Sequence, residues 1–190
     1  MNFEVTMQHS EESLLALSRM QYDMFCTRNR IVRTILSAVL VIIGVMNYSK
    51  WWGILLLAYG CYLTTSTYVS PDRTAHKLAA QIKQSGKSFP CSRYCFEKGG
   101  LHIFTMPENE EMEPLPYSEM LRIAENADYF FIFRDQYGGY MIPKAELGSK
   151  VDAFRTFIES KTGKTVALKA SPFRRMLARM KRREDEPYHL

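Results

Sequence analysis

IVRTILSAVLVIIGVMN (residues 31–47), YSK (48–50) and WWGILLLAYGCYLTTSTYV (51–69) read as two apolar runs joined by a minimal polar turn. The second run has no charged residue from Trp51 to Val69, about 28 Å at helical rise and close to one hydrocarbon thickness. The first is uncharged from Thr34 to Met46, and it reaches full length if Arg33 snorkels to the interface. Tyr48, Trp51 and Trp52 cluster at one end, and Tyr59, Tyr62 and Tyr68 approach the other, as interfacial aromatics do. A transmembrane helical hairpin is expected. A buried helix pair in a soluble domain is the competing reading, although such cores rarely run this apolar for this long. The run starts too late for a signal peptide, and no cleavage-site pattern follows it.

Charge sets the expected orientation. Arg28, Arg30 and Arg33 precede the first run, and Arg73, Lys77, Lys83 and Lys87 follow the second, against Lys50 alone in the turn. The positive-inside rule then places both termini in the cytoplasm of a two-span cell-membrane protein. Small residues occupy mirrored depths: Gly44 with Gly53, and a heptad further from the turn Ser37 with Gly60. They are candidate helix-packing residues for a close seam within the hairpin.

The 190-residue chain has room for one modest domain beside the hairpin, and its net charge of +5 fits an anionic membrane surface better than nucleic acid. Its four cysteines, Cys26, Cys61, Cys91 and Cys95, make no disulfide framework and are expected to be thiols. Cys91, Cys95 and His102 fit no strong zinc spacing.

Outward from the hairpin, Phe3, Val5 and Met7 alternate with polar residues as a strand does. Ser10 then opens an amphipathic helix carrying Leu14, Leu17, Met20, Met24 and Phe25. After the second run, Ser70-Pro71-Asp72 predicts the start of a new connector helix that Ser85-Gly86 ends. From Ser88 the apolar period becomes two. Strands are expected at Ser92–Glu97, Leu101–Met106, Met112–Tyr117, Met120–Glu125, Tyr129–Arg134 and Gly139–Ile142, with the Tyr129–Phe133 stretch central and covered on both faces. Leu147, Val151, Phe154, Phe157 and Ile158 share one helical face, and Gly163 stops that helix. The fold class is therefore α+β: a two-helix transmembrane hairpin plus an antiparallel sheet domain capped by a C-terminal helix. The strand at Phe3–Met7 is free to rejoin the sheet that begins near Ser92, which would make the hairpin an insertion. The expected units are 1–30, 31–69, 70–87, 88–163 and 164–190.

The order of four segments, Tyr94-Cys95-Phe96-Glu97-Lys98-Gly99-Gly100-Leu101, Leu115-Pro116-Tyr117-Ser118-Glu119-Met120, Asp128-Tyr129-Phe130-Phe131-Ile132-Phe133 and Tyr140-Met141-Ile142-Pro143-Lys144, resembles the YcxB-like family of bacterial membrane proteins. The resemblance implies a two-span hairpin in a bacterial inner membrane and a pleckstrin-homology-like (PH-like) domain. It brings no catalytic residues. Tyr117 stands where members of that family often have tryptophan, and residues 165–190 have no counterpart in it.

No catalytic constellation is legible. Gly163-Lys164-Thr165 echoes a phosphate-binding loop, but Ile158 stands where the first glycine belongs and a helix precedes it. His9, His76, His102 and His189 are scattered, and the carboxylates Glu108, Glu110, Glu111 and Glu113 read as a solvated loop. No catalytic, cofactor-binding or metal residues are assigned, and no cofactor is expected. In the tail, Phe173, Met176, Leu177 and Met180 recur at helical spacing, surrounded by Arg174, Arg175, Arg179, Lys181, Arg182 and Arg183. That pattern suits a helix lying on anionic lipid; a disordered tail or one docked on a protein partner competes with it. Nucleic acid is disfavoured, because no stacking aromatics accompany the charges.

The function expected is a membrane-anchored interaction module that binds a protein partner, a second copy of itself or anionic lipid headgroups. The alternative is an accessory subunit of a membrane enzyme or transporter that docks through the hairpin, with the small-residue seam partly available to another helix.

Overall fold

The computed structural model describes residues 3–168. The chain opens with β1 (Phe3–Gln8), α1 (Glu11–Phe25), α2 (Thr27–Met46) and α3 (Trp51–Gln84). It continues with β2 (Cys91–Phe96), β3 (Gly100–Met106), β4 (Glu110–Glu111), β5 (Leu115–Pro116), β6 (Arg122–Glu125), β7 (Tyr129–Phe133) and β8 (Gly139–Pro143). Then come α4 (Lys144–Leu147), α5 (Val151–Thr162) and β9 (Ala167–Leu168).

β1 does rejoin the later sheet. It pairs antiparallel with β2, Phe3 opposite Phe96 and Gln8 opposite Cys91, so α1, α2 and α3 are inserted between two adjacent strands. β2 pairs with β3, whose far edge takes β4 at Phe104 and Thr105 and β5 at Gly100 and Leu101. A second sheet runs in the order β8-β7-β6-β9, antiparallel except where β9 joins β6 in parallel. The antiparallel sheet expected from the sequence is thus two sheets. The prolines explain the division: Pro114 and Pro116 lack the N–H that a continuous ladder needs, so the expected strand Met112–Tyr117 survives only as short pairings before a 3-10 turn at Tyr117–Glu119 carries the chain away.

β7 is the covered central strand that its apolar run implies, with Phe130 to Phe133 all buried. α5 closes the domain. Phe154 meets Phe3 and Phe96 from the first sheet and Phe130 from the second, with ring centroids 5.2, 4.9 and 5.0 Å away. Gly163 ends α5 in the left-handed region at φ 65°, where its N–H reaches the Glu159 carbonyl.

α1 begins with a reciprocal cap in which the Ser10 and Ser13 hydroxyls each accept from the other's backbone N–H. The connector helix expected from Ser70 is instead the continuation of α3, which runs unbroken through Pro71. Thr67, Pro71, Ala75 and Ala79 form one buried stripe on α3, and the Ser18 hydroxyl of α1 donates to the Pro71 carbonyl at 2.8 Å. Packing against α1 holds the helix through a residue that would end it in isolation.

Candidate functional site

α2 is, among the described residues, the one helix long and apolar enough to cross a membrane. Only 11% of its apolar window is buried within the protein, whereas the core helix of a soluble protein would be mostly covered. Ile31, Val32, Ile35, Leu36, Val39 and Ile42 all stand exposed. α3 does not qualify alongside it. Trp51, Trp52, Tyr59, Tyr62 and the Thr64–Thr67 hydroxyls dilute its apolar content, so one candidate span is found where the sequence suggested two. Several of those hydroxyls are satisfied within the helix: Thr65 donates to the Cys61 carbonyl at 3.0 Å, and Thr67 to that of Leu63 at 2.7 Å.

Ser37, Gly44, Gly53 and Gly60 all lie between α2 and α3. The Ser37 side chain is buried, and its hydroxyl donates to the Gly60 carbonyl at 2.7 Å while also bonding Thr64. A Cβ on Gly44 would stand 2.8 Å from the Gly53 carbonyl oxygen, and one on Gly60 would stand 2.8 Å from a Val41 methyl. These contacts fill the seam within the chain. The seam is therefore not available to another helix, and docking through the hairpin would fall to its outer faces.

At the other end of the hairpin, side chains tie the helices to one another and to the sheets. Arg19 forks onto Asp72 with two bonds of 2.8 Å, and the Arg30 guanidinium pairs with Asp23 and lies over the Tyr68 ring. Arg122, at the start of β6, donates to the Met24 carbonyl at the end of α1 and covers the Phe25 ring. A cleft of about 430 Å³ opens here, lined by Met24, Phe25, Thr27, Arg28, Ile31, Val32 and Arg122. Arg28 was legible as flanking charge. Arg122 carried no such signal, because it sits in an ordinary strand pattern far from the hairpin in sequence.

Sequence reasoning also missed a buried carboxylate. Glu125 is 1% exposed and receives Arg155 at 2.9 and 3.0 Å and Lys144 at 2.8 Å. Burial pushes its carboxyl up, but hydrogen bonds from Arg155 and Lys144 outweigh that and hold it below the ordinary value. Lys144 also donates to the Asn126 carbonyl, so the Ile142-Pro143-Lys144 segment secures the corner between the second sheet and α5. Glu125 therefore contributes stability that is complete above the ordinary carboxylate value of 4.5 and is lost as pH falls through its lower folded value. Glu125→Gln is expected to flatten the acid side of the thermal stability profile, measured by circular dichroism on detergent-solubilised protein. An unchanged acid slope would show that other carboxylates govern it.

Among the described residues, the remaining candidates lie apart or are already paired. Cys95 faces His102 across β2 and β3, but Cys91 faces Met106, about 13 Å along the strand from Cys95. His102 bonds Glu111 at 2.6 Å, Glu113 approaches Arg134 at 3.5 Å, and all four cysteines are free. The Tyr117 hydroxyl donates to the Glu97 carbonyl at 2.7 Å, and burial pushes it up to about 12. Arg174, Arg175, Arg179, Lys181, Arg182 and Arg183 lie outside the described residues.

Neither a curated protein nor a solved structure matches the chain. The part of the fold from β3 to α5 is another matter: residues 100–158 match the family model for YcxB-like protein, the family that the order of the four sequence segments resembles.

Proposed function

We propose that this chain is a two-span protein of the bacterial inner membrane with both termini in the cytoplasm. Its two sheets and α5 would form a PH-like interaction module, not an enzyme, that binds a protein partner or anionic lipid headgroups at the cytoplasmic face. The observation that carries this reading is the exposed apolar surface of α2. Its residues stand uncovered among the described residues, and lipid is the solvent that suits them. α3 is about 51 Å long, more than one bilayer core, so its first half accompanies α2 while its second half stands in the cytoplasm against α1. The self-satisfied hydroxyls of α3 and its shared seam with α2 support a second span despite its lower hydropathy. The cations near the domain end, against Lys50 at the turn, support the orientation.

Topology is tested by placing single cysteines at Lys50 and Lys150 on a background with the four native cysteines replaced by serine. With a membrane-impermeant maleimide on intact cells, Lys50→Cys is expected to label and Lys150→Cys only after permeabilisation. Recovery of the protein in the soluble fraction, or labelling of Lys150→Cys from outside, overturns the proposal.

A further inference from the structure

The cleft where α1, α2 and β6 meet has an unusual combination of walls. Two guanidiniums, Arg28 and Arg122, are part of its lining. Among the described residues no carboxylate pairs with either of them: Arg122 donates to a backbone carbonyl and covers an aromatic ring, and Arg28 makes no side-chain bond at all. Asp23, nearby on α1, is held by Arg30. Apart from Thr27, whose hydroxyl donates to the Asp23 carbonyl, the other lining residues are apolar. Ile31 and Val32 are 54% and 56% exposed, and the apolar face they begin continues along α2 through Ile35 and Leu36.

Unpaired arginines favour a phosphate, which a guanidinium grips through paired N–H donors. An apolar strip running away from them favours an acyl chain. One molecule satisfies both. We propose that the cleft binds a single anionic phospholipid, with its phosphate between Arg28 and Arg122 and an acyl chain along Ile31, Val32 and Ile35. This inference rests on the membrane reading above, which sets the N-terminal end of α2 at the cytoplasmic headgroup level, and it gives that reading a specific lipid site. Because Arg122 belongs to the sheet domain and Arg28 to α2, the lipid would join the two parts.

The test uses the full chain in detergent micelles and a short-chain phosphatidylglycerol below its own micelle concentration, with binding read by native mass spectrometry. One lipid per chain is expected. Arg28→Gln, Arg122→Gln and Arg122→Lys are each expected to weaken binding about tenfold, and the exposed Lys150→Gln to leave it unchanged. Arg28 is exposed and makes no hydrogen bond or ion pair among the described residues, so Arg28→Gln reports on binding even if the Arg122 variants disturb α1. Short-chain phosphatidylcholine should bind at least tenfold more weakly, because its phosphate carries a compensating ammonium. Inorganic phosphate alone should not bind measurably. Equal binding of the two lipids, saturation by inorganic phosphate, or wild-type affinity in Arg28→Gln would each overturn the site. These outcomes leave the membrane reading standing if the protein still fractionates with membranes.

Discussion

Phe154→Ala is expected to cost about 3–5 kcal/mol, the range for emptying a fully buried aromatic position. The ring does more than fill space. It is carried on α5, yet it is flanked by Phe3, Phe96 and Phe130, which belong to β1, β2 and β7. Removing it strips one wall from both sheets at once, and the three remaining rings sit on strands whose ladders prevent them from collapsing into the void. In a thermal melt of the solubilised protein, a drop of roughly 10 °C or more should follow. Phe154→Leu should recover most of the loss, since it refills much of the volume. A change below about 1 kcal/mol for the alanine variant would mean that α5 does not hold the two sheets together.

Gly53→Leu is expected to force the hairpin apart at its turn. A Cβ at this position would stand 2.1 Å from the Asn47 carbonyl oxygen, a backbone atom that cannot swing aside as a side chain end would. Gly53 also donates its own N–H to the Lys50 carbonyl and presses its carbonyl oxygen toward Gly44, so the strain reaches α2 by two routes. Overpacking of this kind costs about 3 kcal/mol or more when the backbone must move. Limited trypsin digestion at Lys50, in the turn, should become faster. Gly99→Leu, where an added Cβ meets nothing within 4 Å, should leave both digestion and stability unchanged. Equal digestion of the Gly53 variant and the wild type would place the helix contact elsewhere.

Much of this architecture was legible because periodicity and punctuation are local. The alternation of Phe3, Val5 and Met7 marked β1, the apolar run Tyr129–Phe133 marked a central strand, and Gly163 marked the end of α5. Even the rejoining of β1 to β2 was visible as a possibility, since an orphan strand needs an edge. The mirrored small residues of the hairpin were visible for a similar reason, because equal distance from a tight turn means equal depth. What stayed hidden depends on partners distant in sequence. Pro71 reads as a helix start until α1 is laid against it. Glu125 reads as the last residue of a strand until Arg155 arrives from α5 and Lys144 from the start of α4. Arg122 has no local mark of its position beside α2, and the division into two sheets turns on prolines whose effect shows only against β3.

The pairing of β1 with β2 carries a consequence for how the protein is made. A ribosome delivers β1 first, then all three long helices, and only then the strand that β1 needs. Until Phe96 has emerged, β1 is a lone edge with open backbone groups, and the first sheet cannot close. Order of synthesis therefore sets an order of assembly: helices first, sheet last. The docking of α1 on α3 shortens the remaining search, because it brings the chain entering at Gln8 and the chain leaving toward Cys91 to the same end of the helical unit before either strand has its neighbour.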